Sequence, residues 1–532
     1  MTPTVTVIGS GASGVHFALT VLEKGGSVRM VDVGRQGRAA VLPGATLNGL
    51  KSQLPDPAEY FLGRDFDSVL LPGVNDEYYG IPPSKDYVFD HPEGFGHNST
   101  GFAPLFSFAR GGLGEAWTAG CYPLTAGETV DFPFPHADLA RGYDEVARRI
   151  GVTGEDDDLA RFLPIHAHLM PPIGLDRHSQ QLVDRYARVK AELNSAGAFL
   201  GRTRVATLSE ARGAREACTH LGRCLWGCPR GSIYTPSQTL NTCLGHPRFE
   251  YLTDLEVTHL RLGPGERVQG IVARRPNGSV LELAADRVAL AAGALLSTRI
   301  LLRTLTRESG RRLRLHGLMD NRQVLVPFLN LSMLGAQFSA DTYQYHLLGM
   351  GFDDPSPRDY VHAQITTLKT ALVHPLIQRL PFGLGASTSL FRSVHAALGL
   401  INVNFRDTRR EESFIELTAD DQPRLRIHYA PDCDEPDRID RTLRRVKRAL
   451  RKLNCIVPPG MVHVRPMGAS VHYAGTVPMT ADAQPLSATP EGQSRDIPNL
   501  FLADGATFPF LPAKNITFTL MANAVRIAEA AI

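Results

Sequence analysis

No stretch of the sequence approaches the ~18 to 20 consecutive apolar residues that a membrane span needs, so no integral membrane segment is expected. An excess of one charge sign is also missing: 56 Lys and Arg stand against 54 Asp and Glu, a net of +2. That balance creates no global field to recruit nucleic acid or an anionic membrane. Cysteine is sparse, with seven in 532 residues. An odd number in so long a chain does not read as a disulfide framework. The opening "MTPTVTVIGSGASG" has no basic segment followed by an apolar one, which argues against a secretory signal and makes the cytoplasm the expected location. Repeats and low-complexity tracts are absent. What remains is the composition of a globular protein, 43% apolar and 21% charged. A chain of this length exceeds one simple core and calls for two or three domains.

The first 32 residues carry the strongest local signal. Thr4 to Ile8 is a β-branched run, and Gly9, Gly11 and Gly14 follow it directly. From Ala12 to Glu23 the pattern becomes helical, with Val15, Ala18, Leu19 and Leu22 on one face. A second apolar strand, "SVRMVDV", then brings Asp32 near its end. Strand, tight turn, helix, strand and acid in this order are the context a dinucleotide-binding G-x-G-x-x-G requires. Gly9 permits the turn, Gly11 lets the backbone approach a pyrophosphate, and Gly14 allows close helix–sheet packing. The helix start presents free N–H groups to the phosphates, and Asp32 is placed to accept hydrogen bonds from a ribose. These residues alone leave FAD and NAD both open.

Further along, "FSFARGGLGEAWTAGCY" supplies a second glycine cluster, Gly111, Gly112 and Gly114, beside Arg110. Phe249 to Leu290, Val257 included, reads as strands with a hairpin turn at Asn277-Gly278. "RVALAAGALLSTRILL" is a buried strand running through Gly293 into a helix. Two amphipathic helices are predicted, Asp176 to Leu193 and a strongly basic one carrying Ile439, Leu443, Val446, Leu450 and Leu453 on a single stripe. Near the end a strand from Asn499 to Ala503 stops at Asp504, followed by a proline-bearing loop and a helix from Thr517. Among the cysteines, only Cys224 and Cys228 have the spacing of a zinc-binding pair, and no second such pair follows, so no metal is expected. Ala371 to Leu400 is the most apolar part of the region from 315 to 455 and suits either packing or a lid over a lipophilic substrate.

In motif order the chain resembles the glucose-methanol-choline (GMC) flavoprotein oxidoreductases. The resemblance is carried by "VIGSGASG" with Asp32, "ARGGLGEAW", "CTHLGRCLWGCPRGS", "VALAAGALLSTRILL", "HYAGT" and "NLFLADGATFPFLPAKN". It implies an α/β chain: a Rossmann-type FAD-binding domain with an α+β substrate-binding domain, in a GMC or p-hydroxybenzoate hydroxylase-like architecture. The FAD-binding part would span 1–314 with interleaved substrate-domain segments and resume over 456–532, with 315–455 as the substrate domain. The implied cofactor is FAD. Gly9, Gly11, Gly14 and Asp32 would hold its ADP half, and Arg110, Gly112 and Gly114 would lie near the pyrophosphate and flavin. Val257, Gly293, Asp504 and Gly505 complete the implied cofactor contacts. No His lies in Phe106 to Tyr122, where the family attaches FAD covalently, and His97 is the nearest upstream, so non-covalent FAD is expected.

His472 and Asn515 fall on the family's catalytic pair. The chemistry supports that role independently. Oxidising an alcohol moves a hydride to a flavin while a proton leaves oxygen, and the flavin is a poor base for that proton. A His with an ordinary pKa near 6.5 suits the task, and an Asn amide can hold the same oxygen without charge. Ile516 stands where the family carries proline, and Lys514 is the alternative owner of the proton. The expected partners are a small-molecule substrate and either oxygen or another electron acceptor. Isomerisation, desaturation or cyclisation of a specialised metabolite is the alternative reaction, and a flavin-binding scaffold is the non-enzymatic reading.

Overall fold

Val, Thr, Val and Ile, four β-branched residues in a row, form the strand Val5–Ile8 at the centre of a five-stranded sheet. The order is Leu500–Leu502, Val288–Leu290, Val5–Ile8, Val28–Val31, Phe249–Leu252, and every pairing is parallel. The computed structural model describes residues 4–66, 68, 77, 80–367, 377–378, 380–420 and 422–532. Alternate side chains serve opposite faces. Val5, Val7, Met30, Ala289 and Phe501 pack with the helices Ala12–Glu23 and Thr517–Ala530, while Ile8, Val31, Leu290 and Leu502 join the core on the other side. Because the strands run parallel, Gly9, Asp32, Gly293 and Asp504 all emerge at one edge, where such sheets receive ligands.

A second, antiparallel sheet orders Cys455–Ile456, Gln323–Asn330, Leu398–Asn404, Val361–Thr367, Leu348–Phe352 and Ala198–Arg202, with His463–Val464 also paired to Gln323–Asn330. It therefore draws one strand from well before residue 315. Its apolar face, including Val324, Ala363, Ile401 and Val403, rests on the amphipathic helices Arg177–Ser195 and Glu435–Lys452. Asp176 caps the first of these, its carboxylate accepting from Ser179 N at 3.0 Å. Intervening residues Gln323, Gln364, Asn402 and Asn404 point to the opposite face, as the period of two requires. The hairpin predicted at Asn277-Gly278 joins Arg267–Arg274 to Val280–Ala284. The molecule thus combines a Rossmann-type unit with an α+β unit, and among the described residues no helix is long and apolar enough to cross a membrane.

Candidate active site

A cavity of about 410 Å³ is lined by residues of both sheets. Gly9, Gly11, Asp32, Gly112, Gly114, Val257, Gly293, Asp504 and Gly505 all line it. Gly14 sits behind, where an added Cβ would lie 2.0 Å from the Gly9 carbonyl oxygen, so only glycine lets the helix start so close to the strand. At Gly11 a Cβ would instead enter open cavity space, its nearest neighbour 4.0 Å away. Gly11 also starts the helix Ala12–Glu23 with no side-chain cap, leaving first-turn amides turned to the cavity. An uncapped helix start, a cleft kept open by glycine and a carboxylate beyond it fit a dinucleotide.

Ser10 ties the two glycine loops together. Its hydroxyl donates to Asp32 and accepts from Gly111 N at 2.9 Å. Burial raises Asp32 to about 6, with hydrogen bonds from Ser10 and Tyr251 pulling it back down. Asp504 is raised likewise to about 6 by burial, against a 2.5 Å hydrogen bond from Ser297 and one from Ala506 N at 3.0 Å. Arg110, expected beside the cofactor, is not among the lining residues. Its N–H bonds Arg35 O at 2.8 Å and its guanidinium reaches Asn241, so it is the neighbours Ala109 and Gly112 that face the cavity.

His472 lines the same cavity and is buried. The turn before it wraps around one carboxylate: Asp320 accepts from Gly468 N at 2.7 Å, from the Ser470 hydroxyl, and from His472 N at 3.1 Å. These bonds hold Val471 at φ +64, a left-handed conformation that a β-branched residue adopts only under constraint. On the ring, Nδ1 lies 3.0 Å from Asn321 Oδ1. The Asn321 amide cannot be turned round, because its Nδ2 donates to Phe405 O at 2.8 Å and to Pro512 O at 2.9 Å. Oδ1 is therefore an acceptor, Nδ1 carries the proton, and Nε2 is left with its lone pair. Burial, aided by Arg465, lowers the His472 pKa to about 3. Across the cavity Asn515 accepts at Oδ1 from Gln364 Nε2 at 2.6 Å, so it offers N–H donors.

The family model for GMC oxidoreductase matches residues 409–524, the stretch containing His472, Asp504 and Asn515. Along nearly its whole length the chain is similar to two curated enzymes. One is 6'''-hydroxyparomomycin C oxidase of Streptomyces lividus, 25% identical with 99% of this chain and 90% of that protein covered. The other is C-glycoside 3-oxidase of Arthrobacter globiformis, 26% identical with 99% and 94% covered. These similarities support a place among the GMC oxidoreductases. Among solved structures, pyridoxine 4-oxidase from Mesorbium loti shares the fold at TM-score 0.61 and 14% identity, covering 99% of this chain and 98% of that one. Formate oxidase from Aspergillus oryzae does so at TM-score 0.65 and 11% identity, with 99% and 98% covered.

The same similarities support an FAD-dependent enzyme acting on CH–OH groups. Lys514 is not a base of its active site. It is fully buried away from the cavity, and Nζ donates to Glu128 Oε2 at 2.5 Å, Pro123 O at 3.0 Å and Phe162 O at 2.6 Å. Three acceptors engage all three protons of an ammonium, even though burial lowers its pKa against the pull of Glu128. Cys224 accepts from Gln344 N at 3.4 Å, and among the described residues no group of three or more His, Cys, Asp or Glu could hold a metal.

Within Ala371 to Leu400, residues 371–376 and 379 lie outside the described residues. The remainder includes the helix Leu384–Val394, which buries Phe391 and lines no part of the cavity. What lines the cavity with His472 and Asn515 instead is the polar side of the second sheet, Gln323, Gln364 and Asn402, together with Arg465. Sequence reading missed these residues, although "QVLV", "AQIT" and "INVNF" each set polar residues in alternation with apolar ones.

Proposed function

We propose that this protein oxidises a CH–OH group of a small hydroxylated molecule. Nε2 of His472 takes the hydroxyl proton and the Asn515 amide donates to the same oxygen. Bound FAD supplies the hydride acceptor. The observation that carries this reading is the Asn321 bond, which commits Nδ1 as the protonated nitrogen and leaves Nε2 as base. Similarity to enzymes named for a C-glycoside and for 6'''-hydroxyparomomycin C supports a hydroxylated substrate. Anaerobic mixing with candidate alcohols tests it. Bleaching of the flavin supports alcohol oxidation, whereas product without bleaching would move the enzyme to the isomerase class.

FAD is held without a covalent bond in this proposal. Among the described residues, His472 is the sole histidine lining the cavity and no cysteine lines it, while His97 is turned onto Phe106, ring centroids 5.0 Å apart. Acid precipitation should leave the yellow colour in the supernatant; a yellow pellet would contradict this.

The low His472 pKa has a kinetic consequence with a definite sign. A base needs its lone pair, and a group titrating at about 3 keeps it as pH falls through the usual histidine range. Flavin reduction by the wild type should therefore show no acid limb near pH 6.5. Asn321→Asp puts a carboxylate against Nδ1–H, favours the imidazolium and raises the pKa. The variant should lose rate as pH falls below about 7. Matching pH profiles for the two proteins would remove Asn321 from this role.

A further inference from the structure

Gln364 and Asn402 are directly opposed on neighbouring strands, which sets their Cβ atoms about 4.5–5.5 Å apart on one face. Gln364 already holds Asn515. Asn402 is therefore one strand spacing from the residue that holds Asn515, and both line the same cavity. Its own carbonyl is unsatisfied: Oδ1 is buried with no partner in the protein. A buried acceptor left without a donor is destabilising, so the site favours whatever brings one. The surrounding amides are engaged with one another. Gln323 donates to Asn404 Oδ1 at 2.9 Å and accepts from Arg465 Nη1 at 2.6 Å. Arg465 also donates to Glu77 at 2.6 Å, so its charge is balanced within the protein and makes no demand for an anion.

The geometry points to a subsite at Asn402 that reads a second hydroxyl, close to the one oxidised, on an uncharged polyhydroxylated substrate. A hydroxyl is the group that fits, because it donates to Oδ1 without bringing charge into a buried wall of amides. Selectivity follows from the orphaned acceptor. A substrate lacking the second hydroxyl leaves Oδ1 unpaired on binding, and the site discriminates against it. This rests on the alcohol oxidation proposed above.

The test compares cyclohexanol with 1,2-cyclohexanediol by anaerobic flavin reduction, using the holoenzyme and Asn402→Leu. The wild type should prefer the diol in kcat/KM by about 3- to 10-fold, the worth of one neutral hydrogen bond. Asn402→Leu should bring that ratio to about 1 while keeping FAD content and the thermal unfolding midpoint of the wild type. FAD content and the unfolding midpoint thus report an intact fold. A wild type with no preference, or a variant that keeps the preference, overturns the subsite and leaves alcohol oxidation standing. Should neither alcohol nor a wider polyol panel reduce the flavin, alcohol oxidation itself falls and the subsite with it.

Discussion

His472→Ala is expected to slow anaerobic flavin reduction by about 10² to 10⁴, the range a positioned general base contributes. FAD content should stay at the wild-type level. The ring bonds Asn321 and its backbone is held by Asp320 and Ser470, none of which belongs to the glycine cradle. Asn515→Ala should cost less, because it removes a positioning hydrogen bond and leaves the base in place. Flavin reduction in the His472→Ala enzyme at the wild-type rate would assign proton transfer to another group. Lys514 could not be that group, since its three protons are all engaged away from the cavity.

Stability carries the second large effect. Lys514→Met would leave Glu128 buried without its cation, and breaking such a pair costs about 3–5 kcal/mol. Glu128 also accepts from Thr125 N at 2.8 Å and Thr125 Oγ1 at 3.0 Å, but neither bond neutralises a carboxylate. Urea denaturation of the holoenzyme should show the loss. Adding Glu128→Gln to Lys514→Met should recover much of it, because the unpaired charge is then gone. If the single variant unfolds at the wild-type midpoint, the pair is not holding the segment before Asn515. Little recovery in the double variant would instead assign the loss to packing.

Local chemistry explains why the glycine turn and the strands and helix around it were legible in the sequence. Gly9, Gly11, Gly14 and Asp32 act within one strand–turn–helix–strand unit, where the spacing itself encodes the geometry. The helices Ala12–Glu23 and Glu435–Lys452 were equally readable, each from its apolar stripe. His472 and Asn515 were reached through family resemblance. Their supports were not, because those depend on contacts made only in the folded chain. Asn321 meets His472 across 151 positions, and Lys514 meets Glu128 across 386. Arg110 shows the opposite failure. The family resemblance implied a cofactor contact for it, but a motif position does not set side-chain direction, and the guanidinium reaches Asn241.

The alternation along Gln323–Asn330, Val361–Thr367 and Leu398–Asn404 divides labour residue by residue. Val324, Ala363, Ile401 and Val403 secure the sheet to its helices, while Gln323, Gln364 and Asn402 meet whatever enters. Recognition can therefore be rewritten one strand position at a time with the anchoring residues untouched. A library randomised at 323 and 402, with 364 kept for Asn515, should yield mostly folded, yellow proteins differing in what they accept. In such a scaffold substrate preference is free to drift over generations while His472 and Asn515 stay put.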